Sequence, residues 1–92
     1  MIELEKYYRK EEWDNLISLH LDTWTLSDSQ ARLIDKLNGE KELAIVIWGE
    51  FKESAFNWIT KKIPALDNIS PMDCLNDENL INRLKVCLLR MP

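Results

Sequence analysis

The chain has 92 residues and a mass of 10.9 kDa, with 46% hydrophobic and 30% charged residues. That size holds one domain and excludes a multidomain enzyme, and the balance is that of a folded chain rather than a disordered one. Two glycines and three prolines are too few for a loop-rich β-sandwich. Sixteen acidic against twelve basic residues, a net charge of −4, count against a duplex nucleic-acid binder, which draws much of its affinity from neutralising phosphates.

Trp13, Leu16, Ile17 and Leu21 follow helical spacing, which predicts a first helix over about 4–21 with Trp13 and Trp24 packed in the core. Ser27-Asp28-Ser29-Gln30 has the form of a capping box, with Leu26 and Ala31 placed to staple across it. The second helix then runs over about 28–37, and Asn38-Gly39 stops it. The run Leu43 to Trp48 (LAIVIW) is β-branched enough for a buried strand. No partner strand is visible, however, so it reads as a central helix apolar on nearly every side, with Gly49 at its C′ position.

Phe51, Ala55, Trp58 and Ile59 predict the next helix, ending near Lys61-Lys62, with Ile63 leaving helical geometry before Pro64. Ser70-Pro71-Met72-Asp73 is a compact helix start, and Asn76 or Asp77 caps a last helix over about 77–90. On that helix Leu80, Leu84, Cys87 and Met91 share the core face, flanked by Ile81 and Leu88. Asn82, Val86 and Leu89 fall on the opposite stripe, where apolar residues are surplus to folding and suit an interface. The expected architecture is all-α: a small single-domain helical bundle of about five to six short helices.

Catalytic groupings are thin, and the reading is of a non-enzyme without cofactor or metal. His20 lies between two leucines, where a structural role is the commoner one. Cys74 and Cys87 are not joined by further Cys or His into a zinc set, and no glycine-rich loop exists to cradle a phosphate. The opening MIELEKYYRK lacks the apolar stretch of a signal peptide, and LAIVIW is far below the roughly 20 residues of a membrane span. These features predict a cytoplasmic protein with reduced thiols.

The stretch from Leu26 to Pro92 carries an ordered set of short motifs: Trp48-Gly49, then Trp58-Ile59, then Pro64-Ala65-Leu66, then Ser70-Pro71-Met72 with Leu75, then Val86 through Leu89 with Arg90-Met91. In order and spacing this resembles the toxin-binding domain of the Xre/MbcA/ParS-type antitoxins. The resemblance implies a helical domain over 26–92, with 1–25 as an N-terminal helical extension. It implies a protein partner, a RES-type toxin that consumes NAD, neutralised by the C-terminal helix and tail covering its active site. Arg90, Met91 and Pro92 are then nearest the toxin, and Asn82, Val86 and Leu89 extend the contact. Two alternatives stand beside it: a DNA-binding regulator with a degenerate helix-turn-helix, and a homodimeric helical adaptor. Against the first, apolar LAIVIW stands where a recognition helix needs polar, base-reading side chains.

Overall fold

A computed structural model describes residues 4–90. Four helices carry the fold: α1 (Lys10–Leu21), α2 (Asp28–Lys36), α3 (Lys41–Phe51) and α4 (Glu78–Leu89). Single helical turns at Leu4–Tyr7, Lys52–Ser54, Ala55–Trp58, Pro64–Leu66 and Pro71–Cys74 connect and flank them. The described residues therefore form an all-α fold, but with four helices of nine to twelve residues rather than five to six. Among the described residues the only β feature is an isolated bridge between Ile63 and Ile69.

The capping chemistry forms as its residue types require. Gln30 N–H donates to Ser27 Oγ at 3.3 Å, and Ser27 N–H donates to Gln30 Oε1 at 2.7 Å. The same Gln30 oxygen also accepts from the Thr25 N–H at 3.2 Å, which explains how a glutamine can be buried here. Leu26 and Ala31 are both exposed, so the expected staple covers little. Gly39, at φ +83°, returns its N–H to the Ile34 carbonyl at 2.9 Å and ends α2. Ser70 and Asp73 repeat the capping box, and Asp77 Oδ1 accepts from Asn79 and Leu80 N–H at the start of α4.

Leu43 to Ile47 are buried without interruption, so α3 is the central helix. Leu33 and Leu37 from α2, Ala55 and Ile59, Leu66, Cys74, and Leu84, Cys87 and Leu88 from α4 close around it. Trp13 of α1, 1% exposed, belongs to the same core. Trp13 thus ties α1 into the same core as α2, α3 and α4.

Three local expectations are corrected. The first helix is interrupted: Arg9 is extended (φ −129°, ψ 121°) and separates the Leu4–Tyr7 turn from α1. Gly49 does not stop α3 but lies inside it, facing His20; a β-carbon there would stand 2.1 Å from His20 Nδ1. The stop is Lys52, at φ 53° and ψ −130°, which splits the expected Phe51–Ile59 helix into two short turns. Across that break the Phe51 and Trp58 rings stack, with centroids 4.6 Å apart.

Candidate partner-binding site

The last turns of α4 and the N-terminal segment together form one surface. The Leu4–Tyr7 turn packs along α4. Val86 shows why. At 2% exposure it is buried, yet it lies outside the main hydrophobic cluster. The stripe expected to be bare is therefore covered: Val86 is interior, Asn82 and Leu89 are half-buried, and Arg90 is exposed. Met91 and Pro92 lie outside the described residues.

Cationic groups over aromatic rings hold this arrangement. The Arg90 guanidinium sits 5.0 Å from the centre of the Tyr7 ring. Lys85 Nζ lies 5.2 Å from the Tyr8 ring and 5.3 Å from the Trp13 ring. Trp13 in turn donates its indole N–H to Glu42 Oε1 at 3.1 Å, so α1, α3 and α4 meet at one side chain.

Between the two segments is a small cleft of about 230 Å³, lined by Tyr7, Arg9, Glu12, Val86, Leu89 and Arg90. Its apolar wall comes from α4 and its rim carries two guanidinium groups, one of them 3.9 Å from the Glu12 carboxylate. Such a rim favours a carboxylate on the molecule that meets it. Tyr7, Arg9 and Glu12 are new to the site. The signal for them was the Tyr7-Tyr8-Arg9 run ahead of α1, which helical periodicity alone absorbed into the first helix.

Other chemistry-bearing residues make contacts within the fold. His20 Nε2 and Glu50 Oε1 are 3.3 Å apart in a half-buried contact between α1 and α3. Arg83 pairs with Asp67, tying α4 to the loop before Ser70. Cys74 and Cys87 are free, buried thiols. Burial, and next the Asp73 carboxylate, push the Cys74 thiol up to about 11, and burial raises that of Cys87 as well. Among the described residues no three His, Cys, Asp or Glu side chains group to hold a metal, and no helix is long and apolar enough to cross a membrane.

No family model, curated protein or solved structure matches the chain.

Proposed function

We propose that the chain is a binding protein of the antitoxin kind, which neutralises a RES-type toxin in the cytoplasm by covering its active site with the end of α4 and the segment beside it. The observation that carries the reading is the pairing of Arg90 with Tyr7 at the rim of the α4 cleft: an exposed cation held over a ring, next to half-buried Leu89. An apolar patch with a positioned cation suits a mouth that binds an anionic substrate, because the guanidinium engages acidic groups while the patch excludes water. The order of the Trp48-Gly49, Trp58-Ile59, Pro64-Ala65-Leu66 and Ser70-Pro71 motifs adds support from the sequence.

In this reading the chain performs no chemistry and uses no cofactor. Arg90, Leu89 and Asn82 contact the partner, with Met91 and Pro92 assigned by the resemblance alone. Val86 acts from beneath by holding the N-terminal turn in place.

The test is co-expression with a RES-type toxin, followed by co-purification and an assay of NAD consumption. The expected result is a stable complex with suppressed NAD loss, and release of that suppression by Arg90→Glu. Undiminished NAD consumption in the presence of excess chain overturns the reading.

A further inference from the structure

A second surface lies at the C-terminal end of α3 and shares no lining residue with the α4 cleft. It is a groove of about 460 Å³ lined by Phe51, Ser54, Asn57, Trp58, Thr60 and Lys61. Its size falls in the range of binding clefts. The wall is the Phe51–Trp58 stack, both rings half-buried. The rim is polar but carries no carboxylate. Thr60 Oγ1 donates to the Asn57 carbonyl at 3.0 Å. The side chains of Ser54, Asn57 and Lys61 make no hydrogen bond or ion pair among the described residues. Of the charged neighbours in sequence, Lys52 and Lys62 are basic and Glu50 and Glu53 are acidic, so with Lys61 the groove region holds three bases against two acids in a chain of net charge −4.

A matching knob is present on the same molecule. Leu19 on α1 is 72% exposed, the most exposed of the large hydrophobic residues. Asp22, three residues on, lies beside it on the same helical face and is also exposed. Residues 1–25 hold six acids against three bases, the most acidic part of the chain. The helices that carry the knob and the groove are in contact. His20, next to Leu19, bears on Gly49 and contacts Glu50, and Phe51 is the following residue. A knob and a groove on the same chain allow a two-fold pairing, in which each contact is made twice.

We infer that two copies of the chain pair about a two-fold axis, the Leu19 side chain of each seated in the Phe51–Trp58 groove of the other and Asp22 of each facing the other's Lys61. Apolar burial comes from Leu19 against the rings, and the charges set the register. The contact is small, so the dimer is weak and forms in the upper micromolar range, as interfaces below the standard size commonly do. This pairing leaves the α4 cleft open and does not depend on the function proposed for it.

The experiment is sedimentation equilibrium of the full chain from about 20 μM to about 1 mM, spanning weak association. The unmodified chain is expected to shift from monomer to dimer. Leu19→Glu should abolish the shift, and Lys61→Glu should weaken it about tenfold, as loss of a matched charge does. Asp22→Lys combined with Lys61→Glu should restore it. Amide resonances of the unmodified chain supply a measurement free of substitutions: concentration-dependent changes should fall within 19–22 and 51–61. A monomer at every concentration overturns the inference. So does a dimer that Leu19→Glu and Lys61→Glu leave intact, or one whose resonance changes lie at 82–90.

Discussion

The His20 imidazole occupies the space that a β-carbon on Gly49 would need, with Nδ1 2.1 Å from the ideal position. Two helices approach there as closely as a glycine allows, and the ring is held by Glu50 on the next residue. Gly49→Ala therefore forces α1 and α3 apart and should cost about 1–3 kcal/mol of unfolding free energy, the usual range for overpacking. In a His20→Ala background the clash is gone and the sign reverses. The alanine then stabilises the helix by up to about 1 kcal/mol through its better propensity. Urea denaturation of the two single variants and the double variant reads both numbers. Additive effects would show that the ring and the glycine do not meet.

Trp13 separates packing from hydrogen bonding at one position. Trp13→Ala removes a fully buried ring and should destabilise by about 3–5 kcal/mol. Trp13→Phe keeps an aromatic face under Lys85 but loses the indole donor to Glu42, and should cost clearly less, about 1–2 kcal/mol. Chemical denaturation of both variants checks the order.

The thiols tie stability to alkaline pH. The Cys74 thiol ionises at about 11 in the folded chain, above its ordinary 9.0, so the folded state keeps a proton that the unfolded state has released. Stability must then fall as pH rises from about 9 toward 11, because over that range the unfolded state releases a proton that the native state still holds. Below pH 9 this contribution is fully present. Denaturation midpoints at pH 8 and at higher pH should diverge in the unmodified chain, and Cys74→Ala should remove much of the divergence. Ellman's reagent supplies a second readout: both thiols should react slowly in the folded chain and quickly in urea.

Val86 on α4 and Arg90 at its C-cap sit one turn apart and should respond to different degrees. A carboxylate at Val86 is placed in an apolar interior, so Val86→Asp should lower stability by at least about 2 kcal/mol and release the N-terminal turn. Arg90→Glu acts at an exposed position and should cost about 1 kcal/mol or less, the worth of its contact with Tyr7. Thermal unfolding of both variants, beside the toxin-inhibition assay, separates a residue that supports the face from one that forms it.

Local chemistry was readable where a residue acts on its own neighbours. The boxes at Ser27/Gln30 and Ser70/Asp73, the Asp77 cap and the Asn38-Gly39 stop all form where residue type and spacing place them. The apolar run at 43–48 lacked a partner strand and became the central helix. What escaped were features decided at long range. A glycine that ends a helix and a glycine that admits a neighbouring ring look alike in one dimension, and Gly49 is the second kind. Phe51 and Trp58 are seven apart, two helical turns, so their spacing fits one continuous helix even though they stack across a break at Lys52. Helical periodicity put Val86 opposite the core but carried no information about the Tyr7-Tyr8 segment that comes back to cover it.

The contact of Tyr7 with Arg90 joins positions 83 residues apart, almost the whole described chain. Closing a loop of that length has a larger entropic cost than any local pairing in the fold, and its return comes only once the intervening helices are packed. The ring-on-cation contact is therefore expected among the last to form during folding and the first to part under mild denaturation. A partner that grips both segments at once would discriminate by folding state, engaging completed molecules and passing over nascent or partly unfolded ones.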